Sequence, residues 1–139
     1  MKWLAQREHS RAELARKLAN YAEDPDEIPP LLDELTRRKL LSDDRYAETR
    51  AHALARKYGT ARVASELKSK GVAAQAVARI ATETRATELE RARAVWSKRF
   101  KTSPATLKEW ARQARFLQSR GFAFDVIRAV IGDRGTDSS

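Results

Sequence analysis

Apolar residues recur along this chain at three- and four-residue spacing and never alternate over a run, so the pattern predicts helices and no strand. In "SRAELARKL", Ser10 caps a helix with Glu13 three positions on, and Leu14 and Leu18 share one face. "DPDEIPPLLDELTRRKL" restarts the pattern with Leu31, Leu32 and Leu35 inward; Pro29 and Pro30 belong in the first turn, where a missing N–H costs nothing. "LSDDRYAETRAHALARKY" begins at a Ser42 cap, has Asp43 and Asp44 to complement the positive helix end, and stops at Gly59. "TARVASELKSK" runs to Gly71 and "AAQAVARIATE" follows. "ATELERARAVWSKRF" is capped by Thr87 with Glu90 as box partner. "PATLKEWARQARFLQSR" places Ser103 before Pro104 at its first position, and "AFDVIRAVI" comes after Gly121.

One junction occurs twice. "LKSKGVAAQAVARI" (67–80) and "LQSRGFAFDVIRAV" (117–130) match at Leu67/Leu117, Gly71/Gly121, Val72/Phe122, Val77/Ile127 and Ile80/Val130. In both, a glycine follows a helix end and precedes an apolar residue, which predicts a left-handed glycine and a buried leucine. A degenerate version without the glycine lies in "LANYAEDPDEIPPLLDEL". The chain therefore divides into three groups of three helices, about 1–39, 40–84 and 85–132, with a disordered tail at 133–139. This is an all-α class: three tandem three-helix repeats forming an elongated, curved helical array, each unit burying its open face on a neighbour.

Charge adds an asymmetry. The 139 residues carry a net +9; residues 20–50 carry −4, whereas residues 51–131 carry +11. Such a concentration favours a polyanionic partner, nucleic acid first, with an acidic protein or membrane surface behind it. There is no cysteine, and no stretch of about 18 apolar residues, so a membrane span is not expected. The start lacks the apolar core of a signal peptide, which points to a cytosolic protein.

Candidate chemistry is sparse. His9 and His52 lack metal-ligand spacing and read as surface or capping residues; no phosphate-cradling glycine motif occurs, and no catalytic set, metal or cofactor is expected. The stripe Leu89, Ala92, Trp96 and Phe100 reads as core, with Arg91 and Lys98 opposite it, free to meet solvent or phosphate. On the following helix Leu107, Trp110, Ala114 and Leu117 cover one side, and Lys108, Arg112 and Arg115 line the other. Arg120 extends that charge, and Phe116 either packs on a neighbour or is an exposed anchor. Arg56, Arg62, Lys68 and Lys70 are the corresponding candidates in the middle group. A basic row on successive repeats would track a phosphate backbone or an acidic groove; the alternative is a solvated face.

The blocks "REHSRAELARKL", "LSDDRYAETR", "KYGTARVASELKSKGV" and "QARFLQSRGFAFDVI" resemble, in order and spacing, the RecX regulatory family of bacterial recombination proteins. The resemblance spans residues 3 to 131. It implies the fold just described, and a function that composition does not reveal. That function is binding of the RecA recombinase and its filament on single-stranded DNA, with restraint of its ATPase, strand-exchange and coprotease activities. Several members also bind DNA. The resemblance supplies no active-site residues, and the chain is expected to act as a monomer.

Overall fold

The computed structural model describes residues 2–133, and those residues form nine α-helices, one 3-10 turn and no strand. The first group holds α1 (Lys2–Gln6), α2 (Arg11–Ala19) and, after a 3-10 turn at Pro25–Glu27, α3 (Ile28–Arg37). The second holds α4 (Asp43–Ala55), α5 (Thr60–Ser69) and α6 (Ala74–Arg85); the third holds α7 (Glu88–Arg99), α8 (Leu107–Ser119) and α9 (Phe124–Ile131). The helical repeat fold expected from the spacing is borne out. The expectation of a disordered tail concerns residues that, from 134 on, lie outside those described.

Each group closes on its own apolar cluster. Leu14, Leu32 and Leu35 meet Leu41 in the first. Tyr46, Val63, Leu67, Val72 and Ile80 meet in the second, and Val95, Trp110, Leu117, Phe122 and Ile127 in the third. Leu67 and Leu117 are completely buried at equivalent places, as the repeated junction implies. Both junctions are Schellman closures. Val72 N–H donates to the Leu67 carbonyl at 3.1 Å and Phe122 N–H to that of Leu117 at 3.2 Å, with Gly71 at φ 77° and Gly121 at φ 88°.

The corners also join one group to the next. Gly71 faces Ala12 in the first turn of α2, and Gly121 faces Arg62 in the first turn of α5; a β-carbon would come within 2.4 Å of the Ala12 β-carbon and 2.5 Å of that of Arg62. Across the same contact the Ser10 hydroxyl donates to the Lys70 carbonyl at 2.8 Å, and Gly59 N–H donates to the Arg120 carbonyl at 2.8 Å. A single carboxylate completes each joint. Asp43, first residue of α4, accepts from Arg11 N–H at 2.8 Å and Ala73 N–H at 3.2 Å. Glu88, first residue of α7 and 2% exposed, accepts from Thr60 N–H at 3.3 Å and Ala123 N–H at 2.9 Å. Each anion thus sits where three positive helix ends converge.

Several local expectations are corrected. Gly59 does not end α4, which stops at Ala55: it has φ −78° and caps α5, and its missing side chain matters because a β-carbon would lie 2.3 Å from the Gly121 oxygen. Thr87 precedes α7 but accepts from no backbone N–H of its first turn; its hydroxyl donates to the Thr84 carbonyl and accepts from Arg91 Nε instead. The start of α8 is set by Thr106, whose hydroxyl accepts from Glu109 N–H, so Ser103 and Pro104 lie in the preceding loop. Leu31 and Leu107, assigned to inward faces, are 40% and 51% exposed. No described helix is long and apolar enough to cross a membrane.

Gly59→Ala and Gly121→Ala should each lower stability by about 1–3 kcal/mol, because the new methyl meets backbone that holds two groups together. Urea unfolding monitored by circular dichroism measures this; a stabilised Gly59→Ala would mean the joint has room that its geometry denies.

Candidate polyanion interface

The joints create two equivalent clefts, one between each pair of neighbouring groups. Counting back from the caps Ser10 and Gly59, Arg7 corresponds to Arg56, Glu8 to Lys57 and His9 to Tyr58. From the repeated corner, Glu66 corresponds to Phe116 and Lys70 to Arg120. The backbone plan is shared and the side chains differ sharply.

The first cleft is neutralised from within. Arg7 pairs with Glu13 at 2.8 Å, Arg45 with Glu8 at 2.9 Å and Arg50 with Glu66 at 3.4 Å. Burial works to raise the Glu13 carboxyl, but the Arg7 hydrogen bond and charge hold it below the usual carboxylate range. His9, expected as a surface or capping residue, is only 1% exposed: Nε2 faces the Lys17 ammonium at 2.9 Å and Nδ1 the Arg7 carbonyl at 3.1 Å. Those partners assign a neutral ring protonated at Nδ1. Burial, then the Arg7 and Lys17 charges, depresses its pKa. His52 is exposed.

The second cleft, of about 410 Å³, is lined by Arg56, Lys57 and Tyr58 after α4, by Lys98 and Arg99 of α7, and by Phe116 and Arg120 from the end of α8. None of these cations has a carboxylate within ion-pair distance among the described residues, and the same holds for Arg62, Lys108, Arg112 and Arg115. The guanidinium groups lie on the rings. Arg62 is 4.5 Å and Arg120 5.6 Å from the Tyr58 centroid; Arg99 is 5.1 Å and Arg120 5.2 Å from that of Phe116. Phe116 also meets Phe100 edge-on at 5.5 Å, so it packs, and Arg112 lies 5.5 Å from the Phe100 ring.

Of the residues nominated from sequence, the structure gathers Arg56, Lys98 and Arg120 into this cleft, with Arg62 against Tyr58. Lys108 and Arg112 precede Phe116 and Arg120 at four-residue spacing along α8, so they share its face, and Arg115 is exposed beside them. Lys68 is exposed elsewhere on α5, and Lys70 lines the first cleft. Lys57, Tyr58 and Arg99 were missed; the short run "RKY" ahead of a glycine was the signal for the first two, and "SKRF" at the end of α7 that for Arg99. Among the described residues, no group of three His, Asp or Glu is placed to hold a metal.

Arg91 is a correction. It is half-buried rather than free, and donates to the carbonyls of Ala55 at 2.9 Å, Tyr58 at 2.6 Å and Thr84 at 2.9 Å. Burial, partly offset by Glu88, lowers its pKa. Its role is to satisfy the otherwise unpaired Ala55 and Tyr58 carbonyls at the end of α4 and to tie them to the last turn of α6, which fixes the segment carrying Arg56, Lys57 and Tyr58.

Two family models match the chain: one described as RecX, second three-helix domain, over residues 42–79, and one described as RecX, third three-helix domain, over 86–131. The chain is 52% identical over 131 residues to a Leptothrix cholodnii protein named Regulatory protein RecX, covering 94% of this chain and 83% of that one. The chain belongs to the RecX family. A Ralstonia nicotianae RecX is 44% identical, covering 98% of this chain and 84% of its own. The fold agrees with the crystal structure of RecX from Lactobacillus salivarius at TM-score 0.81 and 20% identity, covering 94% of this chain and 88% of that one. The cleft described above falls between the second and third RecX domains.

Replacing Arg91 by Ala should strand the Ala55 and Tyr58 carbonyls and cost about 2 kcal/mol, with Lys restoring little because one ammonium does not reproduce the fork of guanidinium donors. Thermal unfolding of both variants tests this. A neutral Arg91→Ala would return the side chain to the list of free surface charges.

His9 gives a pH dependence with a definite sign. A depressed folded pKa means the unfolded chain binds more protons below about pH 6.5, so the His9 contribution is present above that pH and is lost as the pH falls. Stability measured at pH 7.5 and 5.5 should drop, and His9→Gln should lessen the drop. An unchanged difference would remove His9 from the cause.

Proposed function

We propose that this chain is a non-catalytic regulator that binds the RecA recombinase and its filament on single-stranded DNA. It restrains the ATPase, strand-exchange and coprotease activities within recombination, DNA repair and SOS control. It acts in the cytoplasm as a monomer and needs no cofactor. Membership of the RecX family, whose relatives are named regulatory proteins, carries the reading. The charge distribution supports it: a filament on single-stranded DNA presents a polyanion and a groove, and the cations of the second cleft lie on the second and third domains.

Co-sedimentation with RecA filaments, compared with free RecA and with naked single-stranded DNA, tests binding; RecA ATPase tests restraint. Lys108, Arg112 and Arg115 are exposed and outside the core, so changing all three to Glu should leave the melting temperature nearly unchanged, within the roughly ±0.5 kcal/mol usual for surface substitutions. The protein needed for half-maximal restraint should rise about tenfold or more, a loss on the order of 1.4 kcal/mol. Wild-type restraint by the folded variant would remove the α8 stripe from the contact. Absence of any effect of the unaltered chain on RecA would refute the proposal itself.

A further inference from the structure

The two clefts share a backbone plan, yet one is self-neutralised and the other is not. In the first, Glu8, Glu13 and Glu66 answer Arg45, Arg7 and Arg50. In the second, Lys57 and Phe116 stand where Glu8 and Glu66 stand in the first, so the position that supplies an anion in one supplies a cation or a ring in the other. Like charges gathered without counter-ions repel, which disfavours the empty state and favours an incoming anion. No carboxylate among the described residues answers these cations, so the cleft favours an anion from outside.

The rings set what kind of anion. Tyr58 and Phe116 would be stacking platforms for bases if they were bare. They are covered instead: Arg62 and Arg120 lie on Tyr58, and Arg99 and Arg120 on Phe116. A base could stack only by displacing a guanidinium. The stacks hold those guanidinium groups in place at little further entropy cost, ready to donate to oxyanions in pairs. They also leave no bare apolar anchor of the kind on which protein partners depend.

We propose that the cleft between the second and third domains binds the sugar–phosphate backbone of a single nucleic-acid strand, holding phosphates on arginines pre-set against Tyr58 and Phe116 without reading bases. A flexible strand can lead successive phosphates into a concave cleft, whereas a duplex presents them on a stiff convex surface. Arg112 and Lys108, one and two turns before Phe116 on α8, continue the track out of the cleft. The equivalent cleft between the first and second domains takes no strand because its arginines are already answered by carboxylates, leaving Lys70 as its one unpaired cation among the described residues. This binding needs no recombinase, so it is tested apart from the function proposed above.

The experiment is fluorescence anisotropy with the full chain and four probes of equal length or charge: oligo(dT), the same strand made abasic, a duplex, and polyglutamate. The abasic strand should bind within about threefold of oligo(dT), and duplex and polyglutamate at least about fivefold more weakly. Loss of abasic binding would show that bases are read, and tighter binding of polyglutamate would make the site a protein-docking surface; either overturns the proposal. Arg56→Ala, Lys98→Ala and Arg99→Ala together should weaken oligo(dT) binding about tenfold or more and lower the log–log salt slope by about 2, at roughly 0.7 per lost phosphate contact. Lys98→Ala alone, an exposed position, gives a smaller loss in the same direction should the triple variant misfold. Arg50→Ala with Lys70→Ala, in the first cleft, should leave both affinity and slope unchanged. An equal loss there would show that strand binding follows overall charge, and the cleft assignment would be wrong. If the cleft binds strand as described while the chain leaves RecA unaffected, only the regulatory proposal fails.

Discussion

The structure depends on one repeated joint, in which the first carboxylate of each later domain accepts backbone N–H groups from two other helices. Asp43 ties α4 to the starts of α2 and α6, and Glu88 ties α7 to the starts of α5 and α9. Helix starts carry unsatisfied donors and partial positive charge, and three brought together would repel unless an anion lay among them. Burying Glu88 almost completely is tolerable because both its oxygens are engaged. The glycine corner follows from the same joint. The backbone must pass within contact of the neighbouring helix start, and a β-carbon at Gly121 or Gly59 would occupy that contact.

Because the joint fixes backbone against backbone, it leaves the side chains around it free to differ. The two clefts are therefore the same shape in plan and opposite in electrostatics. Around the first cleft Arg7 pairs with Glu13 within the first domain and Arg50 with Glu66 within the second, while the Arg45–Glu8 pair crosses between the two. Such partly exposed pairs contribute modestly, up to about 1 kcal/mol each, so they balance charge in the first cleft more than they stabilise the fold. In the second cleft the corresponding positions forgo those pairs, and cohesion passes to Arg91, Glu88 and the Gly59–Arg120 backbone bond. Arg91 thus links the joint to the surface: the carbonyls it holds belong to the segment that carries Arg56, Lys57 and Tyr58.

Arginine plays two roles here that are alike in sequence and opposite in consequence. Arg91 spends its donors on internal carbonyls and is not available to a ligand. Arg62, Arg99 and Arg120 rest on aromatic rings; the stacks restrain the planar groups, and Arg99 keeps its N–H edges unspent. Arg62 and Arg120 each also donate once to a neighbouring carbonyl, of Ser119 and Lys57, so they too are held in place while retaining further donors.

The sequence by itself determined the helices, the three groups, the left-handed corner glycines and the burial of Leu67 and Leu117, because these follow from periodicity, caps and backbone sterics within about ten residues. Four blocks in order were enough to mark the family. The charge concentration was legible as a total. The sequence did not determine which cations share a place: Arg56, Lys98 and Arg120 lie far apart in the chain and meet only because α4, α7 and α8 dock at one joint. It could not separate Arg91 from Lys98 either, since both sit off an apolar stripe and only the carbonyls of other helices distinguish them. Asp43 was legible as a dipole complement but not as a bridge, and Glu88 not at all, because their partners are 28 to 35 residues away. Local physics writes elements into sequence; hydrogen bonds and charge balance between distant elements exist only once the elements have docked.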